Sequence, residues 1–188
     1  MAALFPSLTS TWHHNTYPSL FPSRPELSAK GKTVIVTRGG TGIGAKTADV
    51  EIFVASTDVT DRSQVDTAFS KFVGNGEINV LVNNAATVGP LDHVKDVDGD
   101  KFLEAIHANI KGSFNVAKAF LRHAASNAVV INVSSSLAHL NFSPGFASYP
   151  FHTQMAPFVD ALESGALRSL ELQLWVRSPE INEAPPAK

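Results

Sequence analysis

The chain has 188 residues, of which 44% are hydrophobic, and a formal net charge of −2; this length and composition predict one domain with a substantial core. It contains no cysteine, which excludes disulfides and thiolate metal sites, and no cluster of lysine and arginine of the kind that a nucleic-acid surface needs. The sequence has no long uncharged apolar span, so it predicts no membrane helix. We therefore expect neither a nucleic acid nor a membrane as a partner.

Residues 1–30 predict an extended arm, because they mix proline with serine and threonine and show neither the helical nor the strand period. The adjacent His13 and His14 lie in this arm, where a tail lying on the domain is favoured over a metal site, and we predict no bound metal. The first residues lack the basic region and apolar stretch of a secretory signal, so we expect a cytoplasmic protein. The predicted organisation is this arm, one domain over 31–180 and a tail over 181–188.

The first strand is predicted at 33–37, where β-branched residues run into a glycine-rich turn that ends at Gly44. Glycines let backbone N–H groups approach a pyrophosphate, and a helix that begins near Gly42 presents free donors and the positive end of its dipole to that charge. The turn therefore indicates a dinucleotide site, although on its own a flexible connection between strand and helix explains it equally well.

Apolar runs and helical periods alternate along the rest of the chain. Further predicted strands are 51–56, 79–83, 129–133 and 170–176, and the predicted helices are 42–49, 62–73 and 98–125. The N-cap of the second helix is Thr60 or Asp61. The long helix carries an apolar stripe at helical spacing, formed by Phe102, Ile106, Ile110, Phe114, Ala117 and Leu121. This alternation predicts an α/β fold with a Rossmann-like, doubly wound parallel sheet.

Several motifs occur along this frame in a fixed order. They are Thr37 to Gly44, Asp58-Val59, Asn83 to Ala86, Asn109, and Ser134-Ser135-Ser136 followed by Tyr149. Together they resemble the short-chain dehydrogenase/reductase family over about Lys32 to Leu162, and the arm is similar to that of fungal members.

The resemblance implies a site for NAD(P)(H) beside a site for a small carbonyl or alcohol substrate. The implied cofactor-binding residues are Thr37, Arg38, Thr41, Gly42, Ile43, Gly44, Asp58, Val59, Asn84 and Ala85. The implied catalytic residues are Ser135, which orients the substrate, Tyr149, which transfers the proton, and Asn109. Counting from Asn132 selects Ser135 as the serine, whereas counting back from Tyr149 selects Ser136; we choose Ser135.

The chain departs from the family pattern at positions that touch the cofactor or the chemistry. Arg38 stands in place of the first glycine of the turn, Ala86 in place of the glycine in Asn-Asn-Ala-Gly, and Thr153 in place of the active-site lysine. For Arg38 we favour a steric effect over a contact between its guanidinium and a phosphate. Without the lysine, Tyr149 keeps a pKa near the ordinary value of about 10 and is mostly neutral at pH 7, although it can still donate a proton.

Two parts of the family fold have no counterpart in the sequence: the second strand region, and the C-terminal lid with the seventh strand. The ribose-binding acid expected about 20 residues after the turn falls on Gln64, inside a predicted helix. A minority interpretation moves the strand at 51–56 beside the first strand, which would bring Asp58 near the ribose. The uncovered apolar surface on the last strand favours a homo-oligomer.

Two functions from different classes follow. The first, narrowly favoured, is an NAD(P)(H)-dependent oxidoreductase acting on a small carbonyl or alcohol, with cofactor binding weak or absent and hydride transfer impaired. The second is a pseudoenzyme or a non-redox catalyst, of the cyclase or isomerase type of fungal secondary metabolism, that uses the remaining cleft.

Overall fold

A computed structural model describes residues 23, 25, 28–47, 53–90, 92, 93 and 95–135, and the backbone of a strand at 168–174. Contacts divide the chain into two units, Met1–Gly31 and Lys32–Lys188. All the helices and strands given below belong to the second unit. The arm at 1–30 and the tail at 181–188 stay predictions.

The described strands form a four-stranded parallel sheet whose spatial order follows the chain. They are β1 Val34–Val36, β2 Ile78–Asn83, β3 Ala124–Ser135 and β4 Arg168–Leu174. At the amino end, Asn79 lengthens the short β1–β2 ladder, because its Oδ1 accepts a hydrogen bond of 2.8 Å from the Thr33 backbone N–H. The predicted Rossmann-like parallel sheet is confirmed.

The helices are α1 Gly42–Thr47, α2 Arg62–Val73 and α3 Gly99–His123. Asp61 caps α2 by accepting hydrogen bonds from Ser63 N and Gln64 N, and Asp98 caps α3 in the same way. The backbone hydrogen bond from Gln64 lowers the pKa of Asp61, since it favours the charged carboxylate. Within the described part of the chain, no helix combines the length and apolar character needed to cross a membrane.

The core lies between β2, β3 and the two long helices. Its buried members are Val65, Phe69, Ile78, Leu81, Val116, Ala119, Phe120, Ala128 and Val130. At the surface, Asp66 of α2 joins the helices by an ion pair of 2.6 Å with Arg122 of α3, and this hydrogen-bonded partner lowers the pKa of Asp66. The alternation of apolar periods thus places α2 and α3 together against the sheet.

The apolar stripe of α3 coincides only in part with its buried face: Ala117 is buried, and Phe102 and Ile106 are half-buried. Ile110, Phe114 and Leu121 are 38%, 42% and 37% exposed. The buried residues are Ala105, Asn109, Gly112, Asn115, Val116, Ala117, Ala119 and Phe120. Small side chains let neighbouring backbone approach the helix closely, and the buried asparagines bind that backbone, as described below.

The predicted strand at 51–56 is also wrong over its described residues, 53–56, which form no strand. Phe53 and Val54 are 51% and 76% exposed, and the Phe53 ring lies 5.7 Å from that of Phe72 on α2. A strand needs a neighbour to satisfy its backbone groups, and among the described residues β1 pairs only with β2. The minority interpretation places this segment beside β1, which would bring Asp58 near a ribose. In the described part of the chain, the segment does not pair with β1.

Candidate active site

Three connections meet where the parallel strands end. The glycine turn, residues 37–44, follows β1; the post-β2 loop, residues 84–90, follows β2; and Ser135 is the last residue of β3. The carboxyl ends of parallel strands lie at one edge of a sheet, which is where open α/β folds bind ligands. We call the space between the glycine turn and the post-β2 loop the crevice.

Thr37 joins the two walls of the crevice. Its buried hydroxyl accepts hydrogen bonds of 2.8 Å from the backbone N–H groups of both Asn84 and Ala85. The Asn84 side chain donates to the Thr37 carbonyl at 3.1 Å, and Thr37 N donates to Val82 O at 3.0 Å. Three residues predicted to bind the cofactor therefore bind one another, and they fix the turn to the loop.

Gly44 sets how closely α1 approaches this unit. A Cβ at position 44 would collide with the Arg38 carbonyl oxygen and would lie 2.9 Å from Asn84 Nδ2, which is closer than Cβ contacts come in real structures. Only glycine therefore lets the first turn of α1 pack directly on the backbone of Arg38. Thr41 O accepts from Ala45 N at 3.2 Å to begin the helix.

Asn109, predicted as catalytic, holds the post-β2 loop. Its Oδ1 accepts from Thr87 N and its Nδ2 donates to Thr87 O, both at 2.8 Å. The side-chain amide thus pairs with both the N–H and the C=O of one residue, as the backbone of a neighbouring strand would. Asn109 is 5% exposed, and its described contacts make it a residue that positions the loop.

Val59 and Thr60, which follow Asp58, lie against the same buried face of α3. Asn115 Nδ2 donates to Val59 O at 3.0 Å and to Thr60 O at 3.2 Å. A Cβ at Gly112 would lie 2.6 Å from Val59 Cγ2, so glycine makes room for this segment. The Asp58 carboxylate accepts from the backbone N and the hydroxyl of Thr60, both at 2.8 Å; its role toward a cofactor stays a prediction.

Sequence reasoning missed the contributions of Asn115 and Gly112. Asparagine and glycine are unfavourable inside helices, so their presence within a long apolar helix was the available signal that this face binds backbone. A second missed feature is the amide pair Asn83 and Asn132, which are cross-strand partners; Asn83 is the last residue of β2, and Asn132 lies three residues before the end of β3.

The amide pair gives the sheet edge two unsatisfied polar atoms. Asn83 Nδ2 donates to Asn132 Oδ1 at 3.2 Å, which leaves Asn83 Oδ1 and Asn132 Nδ2 buried without a partner among the described residues. Buried polar atoms in such a state are uncommon. This part of β2 and β3 is therefore polar. It has one hydrogen-bond acceptor, Asn83 Oδ1, and one donor, Asn132 Nδ2, without a partner among the described residues.

The residues of the crevice fit the pyrophosphate of a dinucleotide, and one side chain narrows the access to it. At Gly40 a Cβ would meet no heavy atom within 4 Å beyond its chain neighbours, so the turn leaves space beside its backbone. Thr41, Gly42 and Ile43 are exposed. By contrast, the Arg38 side chain crosses to the opposite wall, where Nη1 donates to Ala86 O.

The structure thus brings together the predicted residues of the turn, the post-β2 loop and Asn109. Val59, which follows Asp58, is linked to them indirectly through its contacts with α3. Ser135 ends β3 at the same edge, and its side chain lies outside the described residues, as do Ser136, Tyr149 and Thr153. A separate shallow depression on the surface of α2, lined by Arg62, Asp66 and Lys71 among others, contains no predicted site residue.

Comparisons with known proteins agree with this architecture. The model of the short chain dehydrogenase family matches residues 45–150. The chain is 29% identical to the short chain dehydrogenase tazN of Aspergillus terreus, a match that covers 76% of this chain and 39% of tazN. It is 26% identical to the short chain dehydrogenase pigC of Monascus ruber, covering 76% of this chain and 59% of pigC. The chain therefore spans less than two thirds of the length of these curated relatives.

Among solved structures, the chain is similar to a short chain dehydrogenase from Burkholderia cenocepacia in complex with NADP. The TM-score is 0.62 at 19% identity, and the match covers 70% of this chain and 67% of the other. At this level of identity, the similarity shows the shared fold.

Replacing Asn109 by alanine tests its role in holding the loop. Asn109→Ala leaves the N–H and C=O of Thr87 without their partners, so we expect unfolding in urea to be easier by about 1–3 kcal/mol. The control is His107→Ala, an exposed position on the same helix, with an expected change below about 0.5 kcal/mol. Equal stability of the two variants would contradict this role.

Proposed function

This chain belongs to the short-chain dehydrogenase family, and we propose that it is an NAD(P)(H)-binding reductase of a small carbonyl substrate with impaired hydride transfer. The observation that best supports this proposal is the union of the glycine turn with the post-β2 loop through Thr37. That union builds a crevice with an open glycine backbone at the edge where dinucleotides bind in such sheets.

We assign the cofactor to the two walls of the crevice. Backbone of the turn from Thr41 to Gly44 would hold the pyrophosphate, because the glycines allow close approach. Asn84 and Ala85 would line the opposite wall. We also assign Asp58 and Val59, which precede α2, to the cofactor. When bound, the reduced cofactor supplies a hydride to the substrate carbonyl carbon.

The remaining chemistry falls to three residues of this chain. We assign the Ser135 hydroxyl to orient the substrate carbonyl, and the Tyr149 hydroxyl to donate the proton that completes the alcohol. Asn109 acts by keeping the post-β2 loop in place. With Thr153 where the family has lysine, the tyrosine is a neutral phenol at pH 7, so it donates a proton far more readily than it accepts one. This favours reduction over oxidation.

A second function is a pseudoenzyme or a non-redox catalyst of the cyclase or isomerase type, which uses the same crevice without hydride transfer. Two observations favour it. Residues 53–56 form no strand beside β1, and the Arg38 side chain crosses the crevice. Both reduce the surface that a nicotinamide dinucleotide would contact.

Titration with NADH and NADPH separates the two functions and tests the expected weakness of binding. Losing two hydrogen bonds to charged groups costs about 3–6 kcal/mol, or about 10² to 10⁴-fold in affinity. We therefore expect dissociation constants well above the micromolar range by fluorescence. A micromolar constant would contradict the predicted impairment, and no binding by either cofactor would favour the second function.

Restoring the missing cation tests the assignment of the proton donor. We expect Thr153→Lys to raise any measurable NAD(P)H-dependent carbonyl reduction by up to about 10²-fold, because a cation beside Tyr149 assists proton transfer. Adding Tyr149→Phe should abolish that gain.

The matched control is Leu103→Lys, which adds the same charge at a position that is 61% exposed on α3 and should leave the rate unchanged. Reduction by the unmodified chain that survives Tyr149→Phe would show that the proton comes from another group. His152 would then be the first residue to test.

A further inference from the structure

Arg38 combines two unusual features at the crevice. Its backbone has φ of 53°, and among the described residues other than glycine only Asn127 shares a positive φ, of 62°. An arginine in this left-handed conformation is strained, because Cβ approaches the backbone carbonyl. Such strain persists where the surrounding structure enforces it, and it occurs preferentially at functional sites.

The surrounding structure does enforce it. The Arg38 carbonyl lies where a Cβ on Gly44 would collide with it, so the first turn of α1 packs directly against this peptide group. The preceding residue, Thr37, is fixed by its bonds to Asn84 and Ala85. The direction in which the Arg38 side chain leaves the turn is therefore set from both sides.

The hydrogen bond from the Arg38 side chain to Ala86 is the outermost of several contacts between the glycine turn and the post-β2 loop. The inner contacts join buried Thr37 to Asn84 and Ala85. The next residue on each wall makes the outer contact, in which Arg38 Nη1 donates to Ala86 O. Arg38 and Ala86 are both exposed, so this bond lies at the mouth of the crevice.

We propose that Arg38 is a latch across the mouth of the crevice, so that a dinucleotide binds fully only when the bond from Arg38 to Ala86 opens. This inference rests on the proposed function, and it adds to it a residue that controls access of the nucleotide. The physical basis is competition, since the guanidinium occupies space and an acceptor at the entrance that a ligand must cross.

The test compares nucleotide affinity in four proteins: the unmodified chain, Arg38→Gly, Arg38→Asn and Asn127→Gly. Glycine and asparagine both tolerate a left-handed backbone, and both remove the guanidinium. We expect Arg38→Gly and Arg38→Asn to bind NADH and NADPH about five- to tenfold more tightly than the unmodified chain, the equivalent of one hydrogen bond. The gain should be the same for both cofactors.

Asn127→Gly is the matched control, because it relieves the other positive φ in the amino-terminal part of β3, away from the crevice. Its affinities should equal those of the unmodified chain. Unchanged or weaker binding by both Arg38 variants would overturn the latch. A selective loss of NADPH binding would also overturn it, and would identify the guanidinium as a ligand of the 2′-phosphate.

Hydrogen exchange without nucleotide gives a second measurement that does not depend on the proposed function. We expect the amides of residues 86–89 to exchange faster in Arg38→Gly than in the unmodified chain, because the outer contact is lost. If no variant binds either cofactor, the proposed function fails and exchange alone decides the latch. Faster exchange then supports a closed crevice, and unchanged exchange overturns it.

Discussion

The site depends on one hydroxyl group. Thr37 Oγ1 accepts hydrogen bonds from two consecutive backbone N–H groups, those of Asn84 and Ala85. The Thr37 N–H itself still bonds to Val82 O, so the backbone ladder between β1 and β2 continues to this residue. Where the strands diverge and backbone can no longer pair with backbone, the side chain takes over. At that point this hydroxyl joins the glycine turn directly to the post-β2 loop.

Two buried amide side chains of α3 provide further support. Asn109 pairs with the Thr87 peptide, while Asn115 binds the carbonyls of Val59 and Thr60. A buried polar group is favourable only when its partners are present. These two asparagines are satisfied by loop backbone, so the same contacts that stabilise the helix also position the loops. This long helix thereby helps to set the shape of the site.

The sequence predicts an element of this fold well when the element's own residues define the face that it buries, and less well when its partners are distant loops. β2, β3, α2 and α3 follow from local periodicity, because each buries an apolar face that its own sequence defines. The segment at 53–56 has a strand-like sequence but pairs with none of the described strands, so its composition alone did not predict its structure. The apolar stripe of α3 marks its buried face only in part, because that face also contacts loop backbone, which it accommodates with glycine and asparagine where periodicity expects large apolar residues. Of the site, the glycine turn and Asn109 were identified by motif, whereas the roles of Asn115 and of the Asn83–Asn132 pair follow from their contacts in the structure.

Amide hydrogen exchange of Asn84 and Ala85, measured by NMR, tests most directly whether the Thr37 hydroxyl holds the crevice together. Thr37→Val keeps the size and β-branching of the side chain and removes the hydroxyl, while Thr37→Ser keeps the hydroxyl. The account predicts that both amides exchange about tenfold faster or more in Thr37→Val and at nearly the original rate in Thr37→Ser. Equal protection of these amides in Thr37→Val and the unmodified chain would contradict it.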